Sequence, residues 1–216
     1  VSDDLHAVVD HVCGTHSYTT LALVGFSLGA NVTMKYLGEG VHPIPQQVKA
    51  AVAFSTPCDL EACARRMAGK EYVFYMNYFL RMLREKHRAK AAMFPGQIDI
   101  EGFESIRTFK QHDDRYTAPI HGFADAEDYW RSCACGRYLD RVTVPSLIVN
   151  AADDPFLAPS CYPYEQARRS RHVYLEVPEH GGHVGFVAFG RGGEYWSESR
   201  ATAFVAEQCG GKIGRA

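Results

Sequence analysis

The sequence predicts an α/β fold, a mostly parallel sheet with helices on both faces and a helical insertion, and three observations carry that prediction. Short apolar runs recur at Leu21 to Gly25, Val48 to Ser55, Val144 to Asn150 and His172 to Val177, the signature of buried strands. The first two are joined by a helical pattern, which makes a βαβ unit of parallel strands. Between the second and third, residues 59–140 give few strand signals and read as a helical insertion. The core is therefore expected in 1–58 and 141–216. With 216 residues and 46% apolar content, the chain has enough material for a packed interior.

The elements follow in order. Ser2-Asp-Asp-Leu5 opens with a capping residue and acids, and Leu5, Val8, Val9 and Val12 recur at helical spacing until Gly14. Leu21 to Gly25 is a strand that breaks into Gly25-Phe-Ser-Leu-Gly29, and Ala30 to Leu37 is the helix after it. Gly25 and Gly29 lack a Cβ, so strand and helix can approach while Ser27 takes a strained backbone that lifts its hydroxyl from the turn. This strand-turn-helix arrangement is a nucleophile elbow. Gly38 to Pro45 is a loop, and Val48 to Ser55 a second strand closed by Thr56-Pro57.

In the insertion, Val73, Met76, Leu80 and Leu83 share one helical face. Tyr72, Phe74, Tyr75, Tyr78 and Phe79 read as packing residues rather than an acyl pocket, and Arg81, Arg84, Lys86, Arg88 and Lys90 as a solvated face. Phe109 to Phe123 is rich in polar and turn residues, and Tyr129 to Leu139 returns to helix. Val144 to Asn150 is the third strand, with a helix at Tyr162 to Ser170 and a fourth strand at His172 to Val177 behind it. Glu194 to Gln208 is a closing helix, and Gly210 to Ala216 a frayed tail.

The chemistry lies at the strand ends. Ser27 follows the first strand, Asp153 and Asp154 follow the third, and His180 and His183 follow the fourth in a glycine-rich loop. Open α/β sheets carry their sites beyond the carboxyl ends of their strands. A serine hydroxyl is a weak nucleophile, so an imidazole must take its proton, and a carboxylate must hold that imidazole's tautomer. His183 is the expected base. His180, ahead of the glycines, is expected nearer the rim. Spacing alone does not choose between Asp153 and Asp154; one of them can cap the following turn. The Leu28 N–H, at the start of the elbow helix, is the expected oxyanion donor.

Composition narrows the classes. A net charge of -2 gives no electrostatic reason for nucleic acid or an anionic membrane as partner. Seven scattered cysteines without a Cys-x-x-Cys pair read as reduced, mostly buried thiols rather than a zinc site. His112-Asp113-Asp114 is the best of the remaining histidine clusters and reads as turn chemistry, so no metal and no cofactor is expected. Neither a charged leader with an apolar core nor a run long enough to span a membrane is present, so cytoplasm is the default compartment and the oligomeric state is open. The chain starts at Val1 rather than methionine, which hints at a beginning inside a longer protein.

Gly25-Phe-Ser-Leu-Gly-Ala-Asn31, Asn150-Ala-Ala-Asp-Asp-Pro-Phe156 and Gly181-Gly-His-Val-Gly-Phe186 together resemble the YheT-like α/β-hydrolases, relatives of the eukaryotic lipid esterases. Thr117-Ala-Pro119, Gly122-Phe123 and Tyr129 extend the likeness over nearly the whole chain. The resemblance implies Ser27 as nucleophile, Asp154 as acid and His183 as base, with an acyl or lipid ester as the small-molecule substrate. Ala30 stands where many relatives have glycine.

The same likeness implies an eight-stranded sheet of which this chain carries the C-terminal half. The half-sheet ahead of the elbow is missing, and with it the His-Gly loop that supplies a second oxyanion donor. The expectation is a site assembled but incomplete, in a serine hydrolase cleaving carboxylic esters through an acyl-serine. An acyltransferase using the same triad with an alcohol acceptor, and a catalytically inert truncated hydrolase, are the alternatives.

Overall fold

The computed structural model describes residues 2–187 and 193–210. Four strands, β1 (Leu21–Phe26), β2 (Val48–Phe54), β3 (Ser146–Val149) and β4 (Val173–Glu176), form one parallel sheet in the order β1-β2-β3-β4. The α-helices among the described residues are α1 (Ser2–Thr15), α2 (Leu28–Glu39), α3 (Leu60–Met67), α4 (Val73–Met93), α5 (Phe109–His112), α6 (Ala118–His121), α7 (Ala126–Cys133), α8 (Tyr164–Arg169) and α9 (Trp196–Cys209). The chain divides into two compact units, Val1–Asp59 with Cys133–Ala216, and Leu60–Ser132. The insertion expected at 59–140 runs past the second unit's end at Ser132.

In the sheet unit, alternation along β2 sends Ala50, Val52 and Phe54 to one face, where they join Leu147, Val149 and Ala151 beneath Ala201 and Phe204 of α9. The opposite face carries Gly25 and is covered by α2, which begins within contact distance of that glycine. β1 is an edge among the described strands. Its Val24 and Phe26 are the register partners of Val52 and Phe54, so they sit on the α9 side, and both are nearly half exposed.

The register aligns the strand ends. Phe26, Phe54, Val149 and Glu176 are successive partners across the sheet. The ladder runs one step further: Ser27 N–H donates to Phe54 O (2.9 Å), Ser55 N–H to Val149 O (2.8 Å) and Asn150 N–H to Glu176 O (3.1 Å).

Two buried asparagines tie loops to this frame. The Asn31 amide donates to Cys133 O (2.9 Å) and accepts from Cys135 N–H (2.8 Å). Asn150 accepts from Thr56 N–H (2.7 Å) and donates to Thr56 O (3.0 Å) and Cys161 O (2.8 Å). Neither role has a local sequence signal, because every partner is distant in the chain.

Several sequence expectations are corrected inside the helical unit. Val73 is exposed, whereas Met76 and Leu80 are buried. Phe74, Tyr75 and Tyr78 are exposed, their rings meeting neighbours on the same helix edge-on at 5.9 Å. Arg84 leaves the solvated face: its guanidinium lies over the Phe103 ring (5.6 Å) and pairs with Glu104 (2.8 Å). His112-Asp113-Asp114 is helical, not a turn. Asp113 opens a π-helical stretch, Asp113–Thr117, in which its carboxylate accepts from Trp130 Nε1–H (2.8 Å) and the Thr117 hydroxyl (2.7 Å). The bond within the stretch and the longer-range one to Trp130 explain why a segment rich in polar and turn residues is helical.

Boundaries shift elsewhere by a few residues. Tyr129 to Leu139 divides into α7 and a 3-10 stretch, Cys135–Arg141, and Gly40 in the left-handed region ends α2 two residues late. The tail expected at Gly210 to Ala216 lies, from 211 on, outside the described residues. None of the seven cysteines is in a disulfide, and five of them are buried.

Two stability predictions follow from these contacts. Asn150→Ala strands the buried Thr56 N–H and two carbonyls, so unfolding free energy should fall by about 2–4 kcal/mol in chemical denaturation. His87 packs at 4.3 Å against Tyr116, and burial lowers its pKa below 6.5, with the neighbouring His112, Lys90 and Lys86 acting in the same direction and its bond to the Leu83 carbonyl opposing. A folded pKa below the unfolded one means this contribution is complete above pH 6.5 and declines as pH falls below it. Denaturant midpoints should therefore drop from pH 7.5 to 5.5, with a shallower drop in His87→Leu.

Candidate active site

The turn after β1 shows why glycine precedes the serine. A Cβ on Gly25 would stand 2.7 Å from Ala30 Cα and 2.7 Å from Gly29 O, closer than real side chains approach backbone. Gly29, by contrast, has open space where a Cβ would go, so only Gly25 is required for the close approach. Ser27 takes φ 51°, ψ -122°, a conformation costly for a residue with a side chain, and it directly precedes α2.

The hydroxyl raised by that bend meets the loop after β4. Ser27 Oγ lies 2.8 Å from His183 Nε2. On the far side of the ring, Nδ1 lies 2.9 Å from Asp154 Oδ2 and 3.1 Å from Oδ1. A carboxylate beside Nδ1 favours the proton there, which leaves Nε2 to accept from the serine hydroxyl. The Asp154 side chain is fully buried and also accepts from Phe156 N–H (2.9 Å), which fixes its orientation. Phe156 packs its ring 4.6 Å from that of His183.

The two adjacent aspartates, equivalent by spacing, have different surroundings. Asp153 turns outward and accepts from Gly181 N–H (2.9 Å) and Gly182 N–H (2.7 Å) through one oxygen. These bonds, Gly182 first, hold its carboxyl below the usual 3.8 against a smaller cost of burial, with His180 adding to the effect. His180 stands exposed at the rim, 3.4 Å from Asp153. The structure thus brings Ser27, His183 and Asp154 together, and keeps Asp153 and His180 apart from the hydroxyl.

One residue of the site had no sequence signal. Ser55, fully buried at the end of β2 with φ 50°, accepts from Val184 N–H (2.9 Å). A lone serine closing a strand looks like any other strand terminus. The Leu28 N–H opens α2, where the first turn leaves backbone donors without intrahelical acceptors. Among the described residues no group of three or more His, Cys, Asp or Glu could hold a metal ion, and no helix is long and apolar enough to cross a membrane.

A parallel sheet with an elbow after one strand and an acid and a histidine after later ones defines the α/β-hydrolase class. The profile of the alpha/beta hydrolase fold matches residues 1–188, and the chain belongs to that family. It is 38% identical over 186 residues to YheT of Escherichia coli (strain K12), covering 83% of this chain and 53% of that protein. Mouse phospholipase ABHD3 is 30% identical over 187 residues (86% and 45%), and human monoacylglycerol lipase ABHD2 30% identical over 200 (83% and 45%). The chain therefore spans about half the length of the curated relatives it matches.

Among solved structures, the Pyrococcus furiosus esterase Pf2001 superposes with a TM-score of 0.55 at 18% identity, covering 95% of this chain and 60% of that one. A puromycin-hydrolyzing peptidase of Mycobacterium tuberculosis gives 0.57 at 15% (100% and 26%). At those identities the likeness establishes the fold.

Because backbone blocks the space beside Gly25, Gly25→Ala must push α2 from β1. It should cost about 1–3 kcal/mol in denaturant unfolding and move Ser27 Oγ out of hydrogen-bond range of His183, which a crystal structure of the variant checks.

Proposed function

We propose that this chain carries the nucleophile, base and acid of a serine hydrolase that cleaves carboxylic esters. The observation that supports it best is the continuous chain of hydrogen-bond distances from Ser27 Oγ through the His183 ring to Asp154.

In this reading Ser27 Oγ attacks the ester carbonyl carbon as its proton passes to His183 Nε2. Asp154 stabilises the resulting imidazolium through Nδ1–H, and the Leu28 N–H donates to the oxyanion. His183 then returns the proton to the departing alkoxide, leaving an acyl-serine and a free alcohol. Water, deprotonated by the same Nε2, attacks the acyl-serine; the carboxylic acid leaves and Ser27 regains its proton.

The relatives named phospholipase and monoacylglycerol lipase favour acyl and lipid esters as the substrate class. The open edge of β1 suits pairing with a further strand, and in the whole protein such a strand and its loops would bring the second oxyanion donor. Seven cysteines outside any disulfide fit a reducing compartment such as the cytoplasm.

The test is labelling by a fluorophosphonate, together with hydrolysis of p-nitrophenyl esters, in the intact protein. Wild type should label at Ser27, and Ser27→Ala and His183→Ala should not. Asp154→Asn should lower kcat by ~10⁴ by allowing the wrong imidazole tautomer. Undiminished labelling of His183→Ala would remove the base from this scheme.

A further inference from the structure

His183 sits in the Gly181-Gly182-His183-Val184 loop, and side chains from two other loops hold the backbone on both sides of it. Ahead of it, Asp153 Oδ1 accepts the consecutive Gly181 and Gly182 N–H groups (2.9 and 2.7 Å). Behind it, Ser55 Oγ accepts the Val184 N–H (2.9 Å). Three of the four backbone N–H groups across this loop are thereby spoken for by side chains.

The backbone they hold is strained. Val184 has φ 59° and Phe186 φ 43°, and the β-branched Val184 is especially disfavoured there. Space is tight as well: a Cβ on Gly181 would meet the Phe186 ring at 2.6 Å and the Ala151 side chain at 2.8 Å. A loop of this kind keeps one conformation only where surrounding bonds over-determine it.

We infer that Asp153 and Ser55 are positioning residues which clamp the histidine loop and set the distance between His183 Nε2 and Ser27 Oγ. The inference rests on the reading of His183 as the base. It gives adjacent carboxylates separate duties: Asp154 acts on the imidazole, Asp153 on the main chain that carries it. Both clamp residues act on backbone N–H groups of the loop, those of Gly181, Gly182 and Val184.

Asp153 makes the cleaner test because its side chain is 44% exposed and its removal leaves no cavity. Both N–H groups reach the same oxygen, Oδ1, so an asparagine amide oxygen can accept both while the charge is lost. An alanine accepts neither. In the intact protein, Asp153→Ala should lower kcat for p-nitrophenyl butyrate by ~10- to 100-fold with little change in KM, because a misplaced catalytic group loses about that much. Asp153→Asn should recover to within roughly threefold of wild type, since neutral acceptors keep the geometry at about half the bond strength.

The downfield proton resonance of the His183 Nδ1–H should broaden or vanish in Asp153→Ala and persist in Asp153→Asn. A role limited to global stability would leave that resonance intact in folded protein. Ser55→Ala should resemble Asp153→Ala in the same two readouts.

If Asp153→Ala keeps wild-type kcat and resonance while His183→Ala is inactive, the clamp is overturned and the triad stands. An Asp153→Asn protein as impaired as Asp153→Ala overturns it too, because charge rather than hydrogen bonding would then be what matters. Full activity in His183→Ala would instead sink the underlying assignment of the base.

Discussion

Strand register is the constraint from which the site is built. Because Phe26, Phe54, Val149 and Glu176 lie in one row across a parallel sheet, the segments that leave the sheet after them all start at the same level and on the same edge. The three hydrogen bonds from Ser27, Ser55 and Asn150 carry the sheet's geometry one residue into those segments, so their positions are fixed before any side chain interacts. Parallel pairing is necessary for this, since an antiparallel neighbour would send its carboxyl end to the opposite edge. A slip of one residue would also exchange the two faces of a strand and move Phe54 out of the core.

Strain is concentrated at that same rim. Among the described residues, the non-glycine positions with positive φ are Ser27, Ser55, Val184 and Phe186, and all four belong to the loops that leave the sheet. Each such residue costs of order 1–3 kcal/mol. The surrounding contacts oppose that cost: Phe186 meets Phe54 edge-on at 5.5 Å and stacks on Trp196, Phe26 stacks on Phe54 at 5.2 Å, and Ser55 bonds to Val184. The aromatic core below the rim and the polar bonds within it therefore work together, one holding the ends of the loops and the other their middles.

What the sequence made legible was whatever depended on local pattern. Gly25 before Ser27, the apolar run ahead of it and the helix formers behind it are all within ten residues, and the order serine, acid, histidine needed only the positions of strands. The choice between Asp153 and Asp154 was not local: it follows from which of two neighbouring side chains turns into the protein, and the resemblance rather than the spacing pointed to Asp154. Ser55, Asn31 and Asn150 were illegible because their partners are far along the chain. In the helical unit, Asp113 was misread for the same reason, its bond to Trp130 spanning 17 residues, and Arg84 because an arginine stem and guanidinium can cover an aromatic ring as readily as face water.

The proposed division of labour between the aspartates has a physical logic. A carboxylate that orients an imidazole works best shielded from water, where its attraction to a developing imidazolium is least screened, and Asp154 is fully buried. A buried carboxylate must then have its other lone pairs satisfied, which the Phe156 N–H does. In that scheme the exposed neighbour holds the loop: Asp153 accepts the Gly181 and Gly182 N–H groups where its charge remains solvated, and Asp154 is left to the imidazole.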